Sequence, residues 1–151
     1  MFRFIRSRTI ALVVPMALAA TATLAGELRY VEHADHETVI HRTSAEDSLG
    51  DLIVFANTLR DAADHATVGA SRGSCIRTEL GRHWHCTFTL ALHDGSLETT
   101  GDFADEGDSD FAIIGGTGRH AGAAGSLRIH PRNEQHDSYD FIIKFTHGEK
   151  P

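Results

Sequence analysis

Several groups of side chains in this sequence have the types, though not all the spacing, that metal or acid–base chemistry requires. His33, Asp35, His36 and Glu37 form a dense nitrogen and oxygen cluster, and His83 and His85 stand two apart, so that on one strand both imidazoles point the same way. Zinc needs three or four converging ligands, and neither group brings a third partner. The spacing therefore favours solvent-facing histidines on an acidic chain. Asp102, Asp105, Glu106, Asp108 and Asp110 offer the oxygen chemistry of calcium, but they do not follow the twelve-residue loop pattern and no bidentate glutamate follows Gly107 at its expected place. A solvated acidic turn between strands is the reading they support. Gly115-Gly116-Thr117-Gly118 follows the apolar run 111–114 as a dinucleotide loop would, yet the next glycine is Gly122, so the G-x-G-x-x-G spacing fails. No helical periodicity comes after it to present an N-terminus to phosphate. The stretch reads instead as strand, glycine corner, strand, with glycine supplying positive φ and close backbone approach. No Gly-x-Ser-x-Gly elbow, paired-cysteine metal framework or phosphate loop is present.

The chain has two cysteines, Cys75 and Cys86. If 66–79 and 82–93 pair as a hairpin about Leu80-Gly81, Glu79 faces Arg82, Arg77 faces Trp84 and Cys75 faces Cys86. That register predicts a salt bridge, a cation over an indole face and a disulfide on one side of the hairpin. Leu-Gly is not a favoured two-residue turn, and a slip to Gly81-Arg82 would leave the cysteines diagonal to each other. The second strand alternates: Trp84, Cys86, Phe88, Leu90 and Leu92 share one face, against His83, His85, Thr87, Thr89, Ala91 and His93 on the other. The first face is packed or lines an apolar cavity, and the second is wetter.

The elements that must position these groups are short strands with turn punctuation. Candidates cover 28–32, 38–43, 51–59, 66–78, 83–93, 96–103, 111–114, 124–130 and 139–145, with Gly, Asp, Asn or Pro between them. The one helix-tolerant piece, 60–65, is too short to matter. Many short antiparallel strands in one domain imply an all-β sandwich or closed barrel, and closure removes exposed edges. Residues 1–25 read as a signal peptide, with Arg3, Arg6 and Arg8 ahead of an apolar run over 10–18 and small residues suited to cleavage at 20–22 or 23–25. An uncleaved anchor is the alternative; either way the single domain over 26–151 is expected outside the cytoplasm, secreted. Removing 1–25 takes away three of the 14 basic residues and none of the 21 acidic ones, which leaves a formal charge of −10. Such an acidic surface argues against nucleic acid or an anionic membrane as partner.

Three stretches then carry a resemblance. Gly50-Asp51-Leu52-Ile53-Val54-Phe55-Ala56-Asn57-Thr58-Leu59, Val68-Gly69 with Gly73-Ser74-Cys75, and Phe111-Ala112-Ile113-Ile114-Gly115-Gly116-Thr117-Gly118 with Gly122 and Gly125 resemble the allene oxide cyclase and dirigent barrel superfamily in order and spacing. The resemblance spans about Tyr30 to Phe145. It implies an eight-stranded antiparallel β-barrel with an apolar cavity, often assembled as a homotrimer, that acts without a cofactor on a small apolar or conjugated molecule. Relatives cyclise a lipid epoxide or steer the coupling of phenoxy radicals by shaping a reactive ligand and stabilising developing charge. By position, Glu32 is implied as a charge-stabilising catalytic glutamate and Asn57 as a residue that holds a polarising water. Asp35 is the alternative acid, of the kind dirigent proteins use. Phe55, Cys75 and Phe88 are the implied ligand contacts. Two departures stand against plant-type cyclisation: Ala34 replaces a second water-holding asparagine and a proline of that site is absent, while a Cys75–Cys86 disulfide would remove the free cavity thiol. Two functions follow, a cofactor-independent cyclase, isomerase or stereocontrol protein, and a non-catalytic secreted binding barrel. An ionisable group deep in the cavity favours the first, and an entirely apolar lining the second.

Overall fold

A computed structural model describes residues 26–147, so the signal peptide expected over 1–25 lies outside the described residues. The described residues form nine strands: β1 (Glu27–His33), β2 (Glu37–Ile40), β3 (Leu52–Asp61), β4 (Thr67–Glu79), β5 (His83–Leu92), β6 (Gly95–Ala104), β7 (Ser109–Gly118), β8 (Ala124–Pro131) and β9 (Ser138–His147). Each pairs antiparallel with its neighbour from β3 through β9, and β1 closes the sheet by pairing with both β9 and β3. β1 lies against 58–61 of β3, and β2 against 52–55 of the same strand, so the two short strands form one stave interrupted at Ala34-Asp35-His36. The result is a closed eight-stranded antiparallel barrel, with no free edge running its full length.

The middle hairpin keeps the expected register at its centre. Cys75 pairs with Cys86 and Arg77 with Trp84, the cysteines form a disulfide, and the Arg77 guanidinium lies 4.0 Å from the indole centroid. Near the turn the register departs from expectation. A bulge between Arg77 and Glu79 pairs Glu79 with His83, not Arg82, and leaves a three-residue loop with Gly81 at φ 63°. That loop avoids the unfavoured Leu-Gly turn, and Arg82 still reaches the Glu79 carboxylate at 3.3 Å.

β7 is longer than its apolar run predicts. The glycines after Ile114 continue the strand and pair with 95–98 of β6 across a bulge at Glu98/Thr99, so the corner falls one step later, over 119–123. Close approach explains this: a Cβ on Gly116 would sit 2.5 Å from the Ser96 carbonyl oxygen and 2.5 Å from that of His120. Gly118, at φ 58°, then turns the chain out of the strand. On the opposite side of the barrel, β2 ends at Ile40, short of the 38–43 expected, and Asp51 takes over. Its buried carboxylate accepts the backbone N–H groups of Arg42 (2.7 Å) and Ser48 (3.0 Å), folding 41–50 into a loop.

The interior divides along the barrel axis. Toward the 119–123 corner, Leu59, Leu90, Leu97, Ile113, Ala123, Ile143 and Phe145 pack solid, each with 3% or less of its surface exposed. The other half is hollow. Around its outside the acidic stretch 102–110 is the solvated turn expected, with Asp102, Glu106 and Asp110 well exposed, and its carboxylates are also paired: Asp105 accepts from Arg77 (2.7 Å) and the Trp84 indole N–H (3.0 Å), and Asp110 takes Arg128 through two bonds of 2.8 Å. His130 pairs with Asp108 at 2.6 Å, and His85 with Asp102 at 3.1 Å. Among the described residues no group of three or more His, Cys, Asp and Glu side chains converges to hold a metal.

Candidate functional site

The hollow half is a cavity of about 190 Å³ lined by Ile53, Phe55, Phe88, Phe103, Phe111, Ile129, Tyr139 and Phe141, with the Cys75–Cys86 disulfide in its wall. Period-2 alternation delivers these side chains: Ile53, Phe55 and Asn57 lie on the inward face of β3, and Cys86 and Phe88 on that of β5. Phe88 is the centre of the aromatic wall, with ring centroids 5.8 Å from Phe55, 5.2 Å from Phe111 and 6.1 Å from Phe141. It crosses over β4 because its partner there is Gly73. A Cβ at that position would meet the Phe88 Cβ at 2.4 Å and the Thr87 carbonyl oxygen at 2.3 Å.

One end of this apolar chamber is acidic. Glu32, on β1, turns its side chain inward opposite Leu59 and Tyr139 and is only 6% exposed. Its Oε1 accepts the Ser71 hydroxyl from β4 and the Asn57 amide at 3.5 Å. The same amide nitrogen donates to Glu37 Oε1 at 2.8 Å, while the Asn57 carbonyl accepts the backbone N–H of His36 at 3.1 Å. Asn57, 1% exposed, thus ties β1, β2 and the break between them around two carboxyls. Burial pushes the Glu32 carboxyl up to about 7; the hydrogen bonds from Ser71 and Asn57 oppose the rise and the Glu37 charge adds to it. Tyr139 completes this end. Its hydroxyl donates to the His136 carbonyl at 2.7 Å, and burial, with Glu37 and Glu32 nearby, raises its pKa so that the phenol stays protonated.

Glu32, Asn57, Phe55, Cys75 and Phe88 are therefore brought together around one cavity, and Cys75 enters it as half of a disulfide with Cys86 and not as a thiol. Asp35 is not brought to it. It sits exposed in the break between β1 and β2, where its carboxylate accepts the Thr58 backbone N–H (3.0 Å) and hydroxyl (2.7 Å) and pairs with His36 at 2.9 Å. Desolvation pushes the carboxyl up, but the bonds from His36 and Thr58 together outweigh it and hold the carboxyl at about 2. Glu37, Ser71 and Tyr139 are polar members that the sequence alone does not single out. The available signal is cross-strand: Glu37 faces Phe55, Ser71 faces Asn57 and Tyr139 faces Glu32, each opposite a residue whose inward direction is known.

A family model described as dirigent-like protein matches residues 22–147. Among solved structures, a pyocyanin demethylase superposes with a TM-score of 0.71 at 22% identity, covering 80% of this chain and all of its own. A pterocarpan synthase dirigent protein gives 0.63 at 15% identity, covering 80% of this chain and 91% of its own. The Diels–Alderase AbmU from Streptomyces koyangensis gives 0.62 at 16% identity, with 86% and 74% covered. At these identities the likeness is one of fold.

Proposed function

The chain belongs to the dirigent-like protein family, and from that premise we propose that it is a secreted barrel that binds a small apolar, conjugated molecule and acts on it without a cofactor, as a cyclase, isomerase or stereocontrol protein. The observation that carries this reading is Glu32: a carboxyl only 6% exposed, at the acidic end of an aromatic chamber, with its pKa raised to about 7. Burying such a group costs stability, and a pure carrier for apolar molecules would gain nothing from it. In the proposed reaction the aromatic wall fixes the ligand in one folded conformation, which supplies orientation. The Glu32 carboxylate then stabilises positive charge that develops as the ring closes or the double bond moves. Ser71 and Asn57 hold the carboxylate in place as that charge appears. The disulfide supports an oxidising compartment and hence secretion. Assembly as a homotrimer belongs to the same proposal, and light scattering of the purified protein reads it directly.

The test is a panel of conjugated ligands with reactive double bonds or epoxides, incubated with the purified protein and resolved by chiral chromatography with mass detection. The proposal expects a product or an enantiomeric excess that drops by about 100-fold in Glu32→Gln while ligand still binds. Equal turnover by the wild type and Glu32→Gln would remove Glu32 from the reaction, and binding with no turnover across the panel would favour a carrier.

A further inference from the structure

We propose that the cavity selects a flat aromatic cation, with its positive charge against Glu32 and Glu37 and its ring plane among Phe55, Phe88, Phe103 and Phe111. This deepens the reading above, since it rests on the chamber taking a conjugated ligand. Among the described residues the charged side chains lining the chamber are Glu32 and Glu37, and no Lys, Arg or His joins them. Just as telling is where the donors go. The Asn57 amide nitrogen is shared between the two carboxyls, the Ser71 hydroxyl is given to Glu32, and the Tyr139 hydroxyl is given to the His136 carbonyl. Backbone N–H groups of β4 and β5 beside the chamber are taken up by the barrel ladder. A carboxylate or phenolate entering the chamber would lose its water, meet two acidic groups and find no free donor in exchange. An aromatic cation meets the reverse. Six rings, those of Phe55, Phe88, Phe103, Phe111, Tyr139 and Phe141, offer faces and edges around about 190 Å³, room for a small fused-ring system. Ring faces attract a cation, most strongly where water is excluded, and the carboxyls at one end fix which way the charge points. Such a ligand also carries, in its ground state, the charge that the proposed reaction develops.

Three probes with one two-ring frame separate charge from shape: 1-methylquinolinium, 1-methylnaphthalene and 1-naphthoate. Their affinities for the mature protein are read by competition against a fluorescent apolar dye. The cation should bind at least ten times more tightly than the neutral probe, and the anion more weakly than either. Glu32→Gln and Glu37→Gln should each cut the preference for the cation and leave 1-methylnaphthalene binding within about twofold. If the neutral probe binds as tightly as the cation, or the anion most tightly of the three, charge selection is wrong while the chamber still takes conjugated ligands. If none of the three binds, both readings fall together.

Discussion

Glu32 sets the pH behaviour of the protein because its two environments differ. Unfolded, it titrates near the ordinary glutamate value of about 4.3; folded, at about 7. Between these values the native state holds the extra proton, so stability falls as pH rises through the window and is highest, for this residue, below it. The full difference is on the order of 3 kcal/mol. Denaturant melts of wild type and Glu32→Gln at intervals from pH 4.5 to 8 should diverge accordingly, the variant gaining on the wild type as pH rises, because an amide has no proton to lose. Parallel curves would mean that Glu32 is ionised without cost. That Glu32 and Asn57 face the cavity was legible through the resemblance, Asn57 from the first of its stretches and Glu32 only by its position in the first strand. Glu37 and Tyr139 were not. Glu37 faces inward only because β2 sits opposite Phe55, and Tyr139 because β9 closes onto β1, a pairing between residues more than a hundred positions apart. The resemblance offers Asp35 as the alternative acid to Glu32, but the break between β1 and β2 turns it outward onto Thr58.

At the scale of elements, strand positions were legible because turn residues separate them and because alternation on β5 is clean. Where expectation failed, a close backbone contact decided the outcome. The glycine run of β7 reads as a breaker in sequence, yet it continues the strand because only glycine lets β7 lie so close to Ser96 and His120. The same logic makes Gly73 a sensitive position: Gly73→Ala should destabilise by about 2 kcal/mol or more and shift Phe88, seen as a lower denaturation midpoint and altered aromatic NMR shifts. The hairpin's disulfide closes a loop of 11 residues' separation, for which chain entropy gives about 3 kcal/mol. The double variant Cys75→Ser/Cys86→Ser should lose about that much in equilibrium unfolding. An unchanged midpoint would mean that β4–β5 pairing alone already fixes this hairpin in the unfolded ensemble.

Viewed whole, the barrel is packed solid in one half and hollow in the other. Leu97 lies in the packed half with none of its surface exposed and does not line the cavity. Leu97→Ala should therefore cost about 2–5 kcal/mol in unfolding free energy while leaving ligand affinity unchanged at temperatures where the variant is folded. Ile53→Phe should do the opposite, filling the hollow with little change in midpoint and at least a tenfold loss of ligand affinity. Barrel closure was legible through the resemblance alone, since alternation fixes which side chains share a face but not whether opposing faces meet, and the division into a packed and a hollow half was not legible at all. The central claim, that the fold stores an ionisable acid at the end of an apolar chamber, is tested most directly by a carbon-13 NMR titration of the side-chain carboxyl of Glu32, assigned by its absence in Glu32→Gln. The account predicts a midpoint near 7; titration at the ordinary glutamate value of about 4.3 would contradict it.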